Sequence, residues 1–370
     1  MDFDIKKLAY NLVNYSCSLK KGEKVLIDAI GIPTDLPIAI VEEVYKVGAI
    51  PFVNIINNDI QRAILMGLTQ EQTDLWTKFD SLRMSNMDAY IGIRGGDNSY
   101  ELSDVPADRR AIYENYYSFP VHHKIRVKKT KWVVLRYPTP SMAQLAGMST
   151  QKFEEFYFNV CNLDYSKMDK AMDALQELLN KTDKVRITAP ETDLTFSIKN
   201  IGSKKCSGHM NIPDGEIYTA PVKDSVNGTI KYNAPSINQG LKHENVKLTF
   251  KNGKIIEATS NYPEAINNVF NTDEGARYVG EFALGVNPYI TKPMGDILFD
   301  EKISGSIHFT PGSCYDDAYN GNESSIHWDL VLLQTKEYGG GEIYFDDVLI
   351  RKDGLFVLEE LLPLNPENLK

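Results

Sequence analysis

An α/β domain followed by a β-rich α+β domain is what this sequence predicts, and three observations carry the prediction. Short apolar runs alternate with helical patterns through the first half. Beyond Val185 the hydrophobic period drops to two, and every candidate metal ligand lies in that second half. Short buried strands alternating with helices imply a parallel sheet covered on both faces, so residues 1–183 read as a doubly wound α/β domain with bridging helices. Residues 184–370 read as the β-rich metal-binding domain. A length of 370 residues suits two domains of about 150 residues each.

In the first half, Ile5, Leu8, Leu12 and Val13 mark an amphipathic helix. KVLIDAI (24–30) is a short apolar strand, after which Thr34 caps a helix running to Gly48, a residue suited to ending one. PFVNII (51–56) is the next strand, followed by helical patches at 59–66 and 69–79. AYIGI (89–93) reads as a strand, 105–118 as a helix, and KWVVLRY (131–137) as a strand whose Val133-Val134-Leu135 core is buried on both faces. Helical patterns at 150–161 and 165–181 bridge to the second half. There VRITA, LTFSIK, KLTFKNGKIIEATS and EIYFDDVLIRKDG alternate at period two, with hairpin turns at Asn252-Gly253 and Asp353-Gly354. Helical patterns at 262–271 and 273–279 interrupt these strands.

Composition excludes several function classes. Hydrophobic residues at 42% and charged residues at 24% are the balance of a soluble globular chain. A formal net charge of −10 argues against nucleic-acid or anionic-membrane partners. No run approaches the roughly 18 uninterrupted apolar residues of a membrane span, and the N-terminal stretch lacks the pattern of a secretory signal. The four cysteines, Cys17, Cys161, Cys206 and Cys314, are scattered with no CxxC, as expected of a reduced, cytoplasmic protein.

The chemistry gathers in SIHFTPGSCYDDAYNGNESSIHWDL (306–330). Read as a strand, Ser306, His308 and Thr310 point to one face, and Ile307 and Phe309 to the other. The same alternation in IHWDL sets His327 beside Asp329, and the Pro, Gly and Asn residues between are turn-forming, so the two strands can lie close. A lone histidine on a strand is more often a satisfied polar residue than a ligand, and His-x-Asp alone is common. The company upstream changes the balance: Glu216 and Glu281 are single carboxylates beside glycine in apolar surroundings, costly places for charge unless it is exposed, paired or bound to a cation. Glu216, Glu281, His308, His327 and Asp329 together suit two divalent ions sharing bridging carboxylates.

Other motifs read more plainly. GIRGGDN (92–98) lacks the Gly-Lys-Ser/Thr ending of a phosphate loop and is expected to be a turn. His122-His123, among basic residues, reads as a solvated segment. Asp316-Asp317 and Asp346-Asp347 read as surface pairs, and Cys314 as a small packing residue. No GxSxG nucleophile signature is present.

NIPDGEIYTAP (211–221), VNGTI (226–230), GEFALG (280–285), HFTPGSCY (308–315) and SxIHWD (324–329) together resemble the aminopeptidase T and aminopeptidase S family of metallopeptidases, over nearly the whole chain. YPTPSMAQLAGMS (137–149) resembles the family as well. The resemblance implies that Glu216, Glu281, His308, His327 and Asp329 ligate two divalent ions (zinc, cobalt, manganese or magnesium) and that Tyr315 is the catalytic tyrosine. It implies a homodimer that removes single residues from the free N-termini of peptides. In that chemistry a hydroxide held by the ions attacks the carbonyl, Tyr315 steadies the developing charge, and Glu216 or Glu281 takes the proton. Two departures, Thr310-Pro311 after the first histidine and a short interval from His308 to His327, bear on pocket shape. Two rival classes stay open at this level: an amidohydrolase acting on a non-peptide amino-acid derivative, and a non-catalytic metal- or small-ligand-binding protein.

Overall fold

The structure is a computed structural model that describes residues 2–98, 100–238 and 240–370. They form two compact units, one built from the chain up to Asn162 together with Gly208–Ile212, the other from Leu163–Ser207 and Pro213–Lys370.

In the first unit five parallel strands lie in the order β2-β1-β3-β4-β8, with β1 Lys24–Ile30, β2 Ile50–Ile56, β3 Ala89–Arg94, β4 Lys131–Arg136 and β8 Asn211–Ile212. The chain leaves β1 for β2 on one side and returns to β3 on the other. Right-handed crossovers therefore carry helices to both faces, which is the doubly wound arrangement. Burial on both faces is why β1 and β3 read as continuous apolar runs, with Val25, Leu26, Ile27, Ile91 and Ile93 all buried. Asp28, in the middle of β1, is also buried. It accepts hydrogen bonds from the Tyr90 hydroxyl at 2.9 Å and the Asn54 amide at 2.7 Å.

Several expectations shift here. Thr34 precedes helix Asp35–Lys46 but its side chain makes no capping bond; Asp35 accepts from the Leu36 amide instead. The helix expected at 105–118 starts at Ala107 and continues past Tyr113 in wider turns through Arg126. That extension makes His122 a half-buried residue, edge-on to Tyr90 and Tyr117, where burial pushes its imidazole down to about 4. The division between the units falls at Asn162/Leu163 rather than at 183/184. Helix Tyr165–Lys181 belongs with the second unit, and 208–212 return to the first because β8 pairs with β4.

The second unit holds two large sheets. The eight-stranded sheet runs β14-β13-β10-β6-β5-β18-β19-β20, with β5 Lys184–Ala189, β6 Thr192–Ser197, β10 Asn227–Lys231, β13 Lys247–Lys251, β14 Lys254–Thr259, β18 Glu342–Phe345, β19 Val348–Lys352 and β20 Leu355–Phe356. A five-stranded antiparallel sheet runs β17-β16-β15-β9-β7, with β7 Lys204–Cys206, β9 Glu216–Thr219, β15 Val279–Gly285, β16 Ser306–Pro311 and β17 Val331–Leu333. A short pair, β11 Ser236–Asn238 and β12 Leu241–His243, stands apart.

Positive φ at both central residues closes the expected hairpins, Asn252 (49°) with Gly253 (79°) and Asp353 (50°) with Gly354 (83°). Asp346 (47°) and Asp347 (66°) form a third such turn between β18 and β19, so this pair is a hairpin tip and not part of a strand. Helix Pro263–Phe270 is present, whereas 273–279 holds only the short turn Gly275–Arg277.

Aromatic rings join the two large sheets. Phe282 and Phe309 lie on one face of the five-stranded sheet, with centroids each 5.1 Å from Phe196 of β6. Phe250 of β13 approaches Phe309 at 5.9 Å. That face is the core, which leaves the opposite face of β9, β15 and β16 free for polar work.

Candidate metal centre

Three neighbouring strands deliver the centre. Register pairs Glu216 with Gly285, Ala283 with both Tyr218 and His308, and Glu281 with Thr310. Side chains alternate across a sheet, so Glu216, Tyr218, Glu281, His308 and Thr310 share the face turned away from the aromatic core. Ala283 and Gly285 sit between them and leave the space open. At Gly280 the register shifts by a bulge, and a Cβ there would lie 2.2 Å from the Ser313 carbonyl oxygen. Glycine is what lets the loop following β16 lie against β15.

His327 and Asp329 arrive on a segment expected to be a strand at 326–330. It is not one. Trp328 donates to the Pro311 carbonyl at 3.0 Å and Ser313 to that of Ile326 at 2.7 Å, but only His327 bridges to Gly312, and the regular strand starts at Val331. Pro311 has no N–H to return, so the ladder cannot close there. The two side chains still converge: His327 Nε2 lies 3.3 Å from Asp329 Oδ1, and Thr310 Oγ1 donates to that same oxygen at 2.8 Å.

All five sequence-derived ligand candidates meet. His308 Nε2 is 3.1 Å from Glu281 Oε1 and 3.3 Å from Glu216 Oε2, while His327 Nε2 is 3.1 Å from Glu281 Oε2. Two three-residue sets result, Glu216–Glu281–His308 and Glu281–His327–Asp329, each with ligand atoms within 4.8 Å of one another. Glu281 belongs to both.

The chemistry of these atoms fits a metal. His327 Nδ1 lies 2.8 Å from the Ser313 carbonyl, which can only accept, so Nδ1 carries the hydrogen. In the neutral ring Nε2 then offers a lone pair, and it faces two carboxylate oxygens without a hydrogen bond. Buried Glu216 Oε2 likewise lacks a hydrogen bond. Acceptors facing acceptors at this range need a cation between them, a proton or a metal ion. Imidazole nitrogens and carboxylate oxygens without a thiolate suit zinc and other first-row divalent ions.

Three charged residues here carry no sequence prediction. Lys302 is wholly buried, its Nζ 2.6 Å from Glu216 Oε1, bonded to Glu301 Oε1 and 3.8 Å from Asp214 Oδ1. Glu301 also groups with His308 and Asp329 within 4.8 Å. In sequence Glu301 and Lys302 sit in the mixed stretch DILFDEKIS, just ahead of the histidine strand, where nothing sets the Glu-Lys pair apart from a surface pair. Tyr315 is placed beside the ligands, its ring 4.8 Å from that of His327 and 5.4 Å from that of Tyr218. Although 47% exposed as a residue, its phenol is held well above the usual range by burial and by the charge of Glu281 and Asp329, so it keeps its proton. Asp316-Asp317 lies in an exposed turn, and Cys314 is a half-buried free thiol in the loop beyond β16.

A profile of the thermophilic metalloprotease (M29) family matches residues 1–354. The chain belongs to that family. It is thereby a metal-dependent hydrolase of peptide bonds. Aminopeptidase T of Thermus thermophilus is 24% identical over 379 residues, covering 89% of this chain and 92% of that protein. Aminopeptidase AmpS of Bacillus subtilis is 35% identical over 160 residues, 39% of this chain and 38% of that protein. Among solved structures, wild-type AmpT from Thermus thermophilus superposes with a TM-score of 0.79 at 20% identity, covering 96% of this chain and 99% of the other. A 2,5-dihydroxypyridine dioxygenase from Pseudomonas putida KT2440 superposes with a TM-score of 0.62 at 13% identity, covering 98% and 99%. These structural likenesses establish the fold, and the dioxygenase shows that the fold alone does not select a reaction.

In the ion-free protein, burial opposes protonation of both histidines, but the surrounding carboxylates outweigh it. They push His308 up to about 10 and His327 up to about 12. A divalent ion taken up by both histidines would have to displace those protons. With zinc as the probe ion, calorimetry in buffers of differing ionisation heat should show about two protons released per chain at pH 7 if both histidines ligate, and affinity should fall about tenfold per proton for each pH unit of acidification. Binding without proton release would contradict this.

Proposed function

We propose that this metallopeptidase is a dinuclear aminopeptidase that releases single residues from peptides with a free N-terminus. The observation that carries the reading is the position of Glu281, one oxygen facing His308 and the other facing His327, so that two ligand sets meet at one carboxylate. The names of its relatives, aminopeptidase T and AmpS, support the same substrate class. Zinc, cobalt, manganese or magnesium held there would supply Lewis acidity to the scissile carbonyl and the attacking water.

The chain's own residues supply the rest. Glu216 has no oxygen left for proton transfer, since Lys302 takes Oε1 and Oε2 faces His308. The role passes to Glu301, whose carboxylate lies within 4.8 Å of His308 and Asp329, beside both ligand sets, and is held above the usual range by burial. Tyr315 donates its hydroxyl hydrogen to the carbonyl oxygen as that oxygen gains charge.

The deciding experiment is release of amino acids from short peptides by metal-stripped protein refilled with each ion. Activity should return with a divalent ion and vanish when the peptide N-terminus is acetylated. Equal cleavage of the acetylated peptide would favour an amidohydrolase instead. Tyr315→Phe should retain its metal while turnover falls about 10²–10³-fold; unchanged turnover would remove Tyr315 from the mechanism. The proposal extends to a homodimer in the cytoplasm. Four free cysteines support a reducing compartment, and among the described residues no helix is long and apolar enough to cross a membrane. Light scattering that reports a single 41.7 kDa chain would end the dimer.

A further inference from the structure

Lys302 has no part in the reaction as set out above, yet it is the most deeply held cation of the centre. A lysine is almost never fully buried unless paired, and this one meets two carboxylates with different tasks. Its Nζ is 2.6 Å from Oε1 of Glu216, a ligand candidate, and it also bonds Oε1 of Glu301, the carboxylate placed to move protons. Asp214 Oδ1 stands 3.8 Å away.

The backbone that presents Lys302 is fixed on both sides. Its N–H donates to the Phe299 carbonyl at 3.0 Å, and its own carbonyl accepts from Asn287 at 3.0 Å. A Cβ on Gly285 would lie 2.3 Å from the Ile303 carbonyl oxygen, so glycine at that position of β15 lets the turn at 301–303 press close. Across Glu281, the His327–Asp329 set has no such cation among the described residues. Its neighbour there is the Thr310 hydroxyl.

We propose that Lys302 is a positioning residue that makes the two ligand sets unequal. By occupying Glu216 Oε1 it leaves Oε2 alone for an ion, and its positive charge weakens cation binding at the Glu216–His308 set relative to the His327–Asp329 set. By holding Glu301 it keeps that carboxylate from closing onto the ion as an extra ligand. Removing the ammonium therefore tightens the weaker ion while slowing turnover. Loss of a merely structural residue would weaken both. This inference rests on the dinuclear reading given under the proposed function.

The test is zinc titration of the ion-free protein by calorimetry, alongside kinetics on an unblocked dipeptide, for Lys302→Met and Lys302→Gln. The glutamine variant keeps a hydrogen-bond donor for Glu216 and carries the test if the methionine variant does not fold. The unaltered protein should show two unequal binding steps. In the variants the weaker step should tighten at least about tenfold as repulsion between like charges is removed. Turnover should drop at least about tenfold with KM nearly unchanged, as expected for loss of positioning in the transition state. An unchanged or weakened second step in a folded variant overturns the role of Lys302 and leaves the aminopeptidase intact. If the unaltered protein binds fewer than two ions, the dinuclear reading falls and this inference with it.

Discussion

A buried carboxylate persists only if its charge is met, and Glu281, 3% exposed on β15, is met by an imidazole at each oxygen. Much of the second unit follows from that constraint. The register of β15 against β16 brings His308 alongside, and Gly280, lacking a Cβ, lets the loop after β16 lie against β15 so that Ser313 can orient His327. Asp329 is steadied by Thr310, on the same face of β16 as His308. Breaking one member of such a cluster leaves the others buried and unpaired, which costs more than the interaction itself contributes.

Rigidity behind the centre comes from the opposite face of the same strands. Phe282 and Phe309 alternate with Glu281 and His308, and their rings lock against Phe196 of the larger sheet. A ligand set built on strands whose reverse side is a close-packed aromatic core cannot drift, and ligand positions have to hold within a fraction of an ångström for a metal site to work. The first unit shows the opposite economy: its central strands β1 and β3 are mostly apolar on both faces, and the buried Asp28 of β1 is satisfied by Tyr90 and Asn54.

The fold is shared with enzymes of different chemistry, a dioxygenase among them, so the scaffold by itself leaves the reaction open. What narrows it is the donor set. Family membership makes the chain a metallopeptidase, and the two candidate ligand sets that meet at a single carboxylate are what the proposed aminopeptidase chemistry rests on.

The parallel sheet, the hairpin turns and the five ligand candidates were legible in the sequence because each rests on a local pattern. Period-two alternation placed His308 and Thr310 on one face, and Asn-Gly and Asp-Gly marked turns that only left-handed backbone can make. Patterns that depend on distant partners were not legible. The segment 326–330 alternates like a strand, yet Pro311 opposite it has no N–H to complete the ladder. Lys302 and Glu301 resemble an ordinary surface pair in sequence, and Asp214 a turn residue. They become part of the centre only because β9, β15 and the turn before β16 are brought together from across the second unit. Sequence alone determined which residues alternate and where the chain turns, since both depend on near neighbours. Tertiary structure decided which charges meet, since burial and register are properties of strands far apart in the chain.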